Sequence, residues 1–308
     1  MARADSGFSG PREIPPRREK NGPRRHRSIY AAAGGLVAVV IVTVAVTVIV
    51  GGRGDTGPTP VDGTHRPSPT GTYQLPASAV SLMKGVPVSS LVASAQAQLG
   101  SGEVVPPEKL PPSAPKLSAG GHPEIMFICA EYWSKCAAER WALVMALSKF
   151  GTFTTLMGTT SSTTGVSPRI PTFSFYGAAY SSRYLTLVTD ELETNTDEGG
   201  GEYPLLQAPT SQELTMINAW DRAPYTTTRA SIPFAYIGGK FLLTNAQYDA
   251  SGISRMSFQA AVSIMSAGTS EVARHAEAAA GYLVAAFCAL TSGQPIRVCS
   301  QVPSSLTG

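Results

Sequence analysis

Four cysteines, Cys129, Cys136, Cys288 and Cys299, are the residues of this 308-residue chain best suited to chemistry. A thiolate attacks disulfides and binds metals, so its surroundings decide between a reactive and an inert role. Cys129 and Cys136 flank Ala130-Glu131-Tyr132-Trp133-Ser134-Lys135, where an apolar run gives way to a helix-forming one. Two outcomes fit that spacing: a structural bond, or an unusual redox pair shielded by Trp133. Cys288 and Cys299 flank Ser292-Gly293-Gln294-Pro295, a turn sequence that returns the chain beside the end of a helix. That spacing predicts a structural bridge, and closing so short a loop stabilises by roughly 3 kcal/mol on the chain-entropy model.

Other chemistries find little footing. His26, His65, His122 and His275 are scattered, so no zinc cluster and no metal is expected. Ser161 and Ser162 lie in a Thr/Ser stretch without a marked elbow. Gly199-Gly200-Gly201 neither follows a strand nor opens a helix, which argues against a phosphate cradle. Arg140-Trp141 reads as helix packing with the guanidinium at the surface. No cofactor is expected.

The elements that must position the cysteines follow from hydrophobic periodicity. Glu124–Cys129 is a short apolar run with the length of a central strand, and Cys136–Phe150 is a largely buried helix stopped by Gly151. Thr172–Tyr176 and Arg183–Val188 read as strands, and Asp190–Glu202 as a solvated acidic loop without calcium-ligand spacing. Thr210-Ser211-Gln212-Glu213 is a capping box that opens a helix with Leu214, Ile217 and Trp220 on one face. Phe234–Leu243 holds two apolar runs joined by Gly238-Gly239, a hairpin signal. Ser270–Leu290 is a long helix striped by Val272, Ala276, Ala279, Leu283, Phe287 and Leu290. Upstream, Val80–Ala97 predicts a helix pair broken at Pro87, and Pro106–Gly121 an extended, proline-rich segment.

Tyr30–Val50 carries no charge over 21 residues, and a helix of that length rises roughly 30 Å, the thickness of a bilayer core. Residues 1–29 carry eight Lys or Arg against three acids, +5, and the chain as a whole carries +3, which leaves −2 for the rest. A basic tail beside a span stays inside, so the expectation is a single-pass membrane protein, N-terminus cytoplasmic and C-terminal domain extracytoplasmic. The lipid bilayer accounts for the basic tail, and no nucleic-acid partner is expected. The expected layout is a disordered tail 1–29, a transmembrane helix 30–50, a Gly/Pro/Thr linker 51–72, an N-terminal extension 73–122, a folded domain 123–300 and a disordered end 301–308. In an oxidising space the four cysteines tend to pair.

The element order strand, helix, strand, helix, Pro-led hairpin, helix is mixed α/β, and Phe127-Ile128-Cys129-Ala130-Glu131-Tyr132-Trp133-Ser134-Lys135-Cys136 resembles the thioredoxin strand-to-helix turn. Ile232-Pro233-Phe234 resembles the loop whose cis proline faces that turn. The stretches AAERWALVMALSKFGTF and PTFSFYGAAYSSRYL are similar to the thioredoxin-like domain of unknown function family 929. The resemblance implies a thioredoxin-like mixed sheet with flanking helices, preceded by one transmembrane helix. It also places Trp133 where redox relatives carry the first cysteine of Cys-x-x-Cys, and Cys136 at the second. An indole cannot start thiol exchange. The implied function is therefore a non-catalytic binding or envelope-associated module, with Tyr132, Trp133, Ile232 and Pro233 lining a surface for an extended peptide or envelope protein. The alternative is a thiol–disulfide oxidoreductase using Cys136 with Cys129.

Overall fold

A computed structural model describes residues 71–165 and 167–307, all within the unit Asp62–Gly308. In chain order the elements are β1 (Tyr73–Gln74), α1 (Ala77–Gly85), α2 (Val88–Ala97), β2 (Glu108–Lys109), β3 (Ser118–Ala119), β4 (His122–Cys129), α3 (Ser134–Leu147), β5 (Gly151–Thr160), β6 (Pro171–Ser182) and β7 (Thr186–Glu191). They continue with α4 (Ser211–Trp220), β8 (Phe234–Ile237), β9 (Phe241–Leu243), α5 (Phe258–Ala267), α6 (Glu271–Leu290), α7 (Ile296–Cys299) and α8 (Ser304–Thr307). The basic tail, the apolar segment Tyr30–Val50 and the linker as far as residue 70 lie outside the described residues.

The central sheet is built around β4, which pairs in parallel with β7 and antiparallel with β8; β9 and β2 extend it beyond β8. Along β4 the side chains alternate: Ile125, Phe127 and Cys129 enter one apolar cluster, Met126 and Ile128 another. Covering both faces requires apolar residues at every position, which is why this strand reads as an unbroken run. α3 and α6 pack together on the first face, and α4 contributes Met216, Ile217 and Trp220 to the second. The result is a mixed α/β architecture with flanking helices.

A second, antiparallel sheet β1-β5-β6 closes over α3. The Trp141 indole N–H donates to Pro171 O at 2.9 Å, and the Thr172 hydroxyl donates to Ala137 O at 2.8 Å. α3 therefore has almost no solvent face: its residues Cys136–Leu147 are all buried. α2 lies against α6 so closely that a Cβ on Gly281 would come 2.2 Å from Leu91 O. The Lys149 ammonium reaches the end of α1, donating to Lys84 O at 2.7 Å and Val86 O at 2.6 Å.

Several expectations are corrected. The Arg140 guanidinium is buried, because Glu191 on β7 supplies its counter-charge. Asp190 and Glu191 accordingly belong to β7 and are buried, and only the residues after them form the acidic loop. α3 ends at Leu147, capped at Ser148, three residues short of the expected Phe150, and Gly151 starts β5, whose register slips twice between Phe153 and Met157. α5 was not anticipated. The chain end is ordered through α8, with Leu306 packed on the core. The hairpin loop is one residue longer than two, since Ile237 pairs with Phe241; Gly238 and Gly239, at φ +59° and +76°, make its turn.

Among the described residues no single helix is long and apolar enough to cross a membrane. α1 and α2 pass such a test only as a pair bent by 62°, and Met83, Leu91 and Ala95 bury them against the core.

Candidate functional site

The parallel strand β4 delivers Cys129 to the end of the central sheet, and seven residues later Cys136 sits in the first turn of α3. The two are bonded, with Cα atoms 5.8 Å apart, and both have zero exposure. The Ala130 N–H points at Cys136 Sγ, 3.4 Å away. Trp133 is the N-cap of α3 and is 37% exposed. The ring of residues closed by the disulfide thus presents an indole outward and keeps its sulfurs inside.

Tyr132 is fixed on three sides. Its carbonyl accepts from Ser162 N–H at 2.8 Å, its ring stacks on Tyr203 at 4.1 Å, and the Trp133 ring meets it edge-on at 5.8 Å. Beside this aromatic corner runs a groove of about 970 Å³. Leu214 and Ile217 of α4, Tyr225 and Ile232 form its apolar wall, and the hydroxyls of Thr226, Thr228 and Ser231 its polar one. Those hydroxyls hold the loop's shape: Thr226 and Ser231 lie 3.1 Å apart, and Ser231 N–H donates to Asp221 Oδ2 at 2.9 Å. Lys135 and Glu193 also line the groove, so its charge is balanced.

Of the residues singled out from sequence, Tyr132, Trp133 and Ile232 line this groove together. Pro233, after a cis peptide from Ile232, is buried beneath it, and Cys129 and Cys136 lie below the surface. Cys288 and Cys299 are bonded to each other at the far end of α6, outside the groove.

Beneath the disulfide lies a charged cluster that sequence reasoning missed. Arg140 donates through Nε to Glu191 Oε1 at 2.9 Å and through Nη2 to Glu191 Oε2 and to Ala130 O. The Ser174 hydroxyl donates to Glu131 Oε1 at 2.5 Å. All four side chains have zero exposure. Two carboxylates share one guanidinium here, and burial pushes the Glu191 carboxyl up to about 7 against the pull of Arg140, with Glu131 adding to the rise. The only local signal was an Arg in a helix with no other cation between Cys136 and Leu147. Glu139, on the same helix, accepts from Gln247 N–H at 3.1 Å, and burial raises it to about 7. Among the described residues no group of His, Cys, Asp or Glu is arranged to hold a metal ion.

No curated protein and no solved structure matches this chain. Over residues 112–249, which hold the groove and the buried cluster, it matches the model of a family described as Domain of unknown function (DUF929).

Proposed function

We propose that the folded part is a thioredoxin-like binding module, held outside the membrane by the Tyr30–Val50 span, that takes an extended peptide or envelope protein into its groove without thiol chemistry. The strand order β7-β4-β8-β9, with α3 joining the parallel pair and α6 closing the first face, supports the thioredoxin-like reading. The single observation that carries the rest is Trp133 at the N-cap of α3 over a fully buried disulfide. Exchange requires a sulfur that an attacking thiolate can reach in line, and neither sulfur is exposed. An aromatic corner beside a groove with apolar and hydroxyl walls suits an extended chain, whose backbone pairs while its side chains fill the apolar wall.

The second reading, an oxidoreductase using Cys136 with Cys129, is favoured by the bond between them and opposed by its burial. Peptide-array binding by the full chain separates the two. The expected result is selective capture of extended peptides, weakened roughly 30-fold by Trp133→Ala, as for a central aromatic anchor. The natural protein is expected to be inactive in a turbidity assay of disulfide reduction. Measurable turnover there favours the second reading, and capture that Trp133→Ala leaves unchanged removes the groove from the proposal.

A further inference from the structure

The central sheet ends in a second concavity, opposite the groove. β4 begins there at His122 and β8 ends there, just before Gly238, whereas Ile128 and Phe234 mark the groove end. It measures about 680 Å³, within the range of small-ligand pockets. Leu110, Leu117, Phe241 and Leu290 form its floor, each showing 7–9% of its surface. These are core residues that the fold leaves open on one side.

The rim has one sign of charge. Lys109, Lys116 and Lys240 line the pocket, and no Asp or Glu is among its lining residues. This stands out in a chain that carries −2 beyond its first 29 residues. Lys240 donates to Ala289 O at 2.8 Å, which meets the negative end of the α6 dipole. That end amounts to roughly half a charge, so it offsets one lysine in part and leaves the rim cationic. Neither Lys116 nor Lys240 forms an ion pair within the described residues. An ammonium has three donors, so the Lys240 group can hold the helix end and an anion together.

An apolar floor under a cationic rim matches one chemistry. We propose that this pocket binds a single-chain amphipathic anion, a fatty carboxylate, with its headgroup between Lys116 and Lys240 and its chain over Leu110, Leu117 and Leu290. The site shares no residue with the Trp133 groove and stands independently of the function proposed for it.

The test uses the full chain and a photoreactive diazirine-bearing hexadecanoate, with labelled peptides mapped by mass spectrometry. Labelling is expected on the peptides that hold Leu110–Leu117 and Ala289–Leu290. Unlabelled hexadecanoate competes, and hexadecanol competes at least tenfold less well. Lys116→Met is expected to cut labelling about tenfold, Lys116→Arg to restore it, and Trp133→Ala to leave it unchanged. Since Lys116 is exposed, the Met variant keeps the fold, which an intact Cys288–Cys299 bond and an unchanged melting curve verify. Labelling confined to other peptides, equal competition by the alcohol, or indifference to Lys116→Met would each overturn the proposal.

Discussion

The two faces of the central sheet are built to different standards. On the first, helices of 14 and 20 residues cover β4 and β8, and nearly every apolar side chain between them is sealed. On the second, the cover is one ten-residue helix, of which only Glu213 is fully buried, and the loop from Leu110 to Leu117. A single apolar layer through Met126, Ile128, Phe234, Tyr236 and Leu242 lies beneath that thin cover and runs out at both ends. One end opens into the Trp133 groove, the other into the lysine-rimmed pocket. The well-covered face supplies stability, and the thinly covered face supplies the two concavities proposed to take ligands.

Substitutions on the two faces put that contrast to the test. Trp141→Ala should be the most damaging, costing about 4 kcal/mol, because the indole is fully buried, hydrogen-bonded to Pro171 O and packed on Phe173 and Phe258. Arg140→Met comes next, at about 3 kcal/mol, since it leaves the fully buried Glu191 without its counter-charge. The double variant Arg140→Met with Glu191→Met should recover much of that loss, so a denaturant titration of both variants checks the pair. Ile217→Ala, on the thin cover, should cost only about 1 kcal/mol, as a half-buried side chain. If chemical denaturation gave Ile217→Ala the same cost as Trp141→Ala, the two faces would not differ in the way described.

A further effect is a dependence on pH. Glu139 and Glu191 have folded-state values raised to about 7 by burial, against about 4.5 when unfolded. Between those values these two groups bind more protons in the folded protein than in the unfolded one, so their contribution to stability is complete below about pH 4.5 and is lost as pH rises towards 7. Melting temperatures from pH 5 to pH 7.5 should therefore decline. Glu139→Gln, which keeps an oxygen to accept from Gln247 N–H, should flatten the decline, and an unchanged slope would remove Glu139 as its source.

Local chemistry made much of the fold legible. The unbroken run Ile125–Cys129 announced a strand covered on both faces, and the Thr210–Glu213 box marked the start of α4 to the residue. β5 was hidden because its bulges break the alternation that identifies a strand, giving a burial pattern with no period of two. Arg140 was misplaced for a different reason. Its partner lies 51 residues away, and no window along the chain reveals that a distant carboxylate will meet it. At the site, Tyr132, Trp133 and Ile232 were legible as neighbours through the resemblance. The opposite wall from Tyr225 to Ser231 was not, because a loop held by hydroxyl contacts leaves no periodic trace.

The Lys149 clasp sets how the domain carries mechanical load. β1, the first described strand, is only two residues long, and α1 follows it directly. A pull on the chain at Gly71 meets the short β1–β5 ladder first and then the end of α1. There the ammonium of Lys149, just past the end of α3, donates to three backbone carbonyls, those of Met83, Lys84 and Val86, and ties the end of α1 to the core. Detaching α1 therefore requires breaking the Lys149 hydrogen bonds as well as the helix packing.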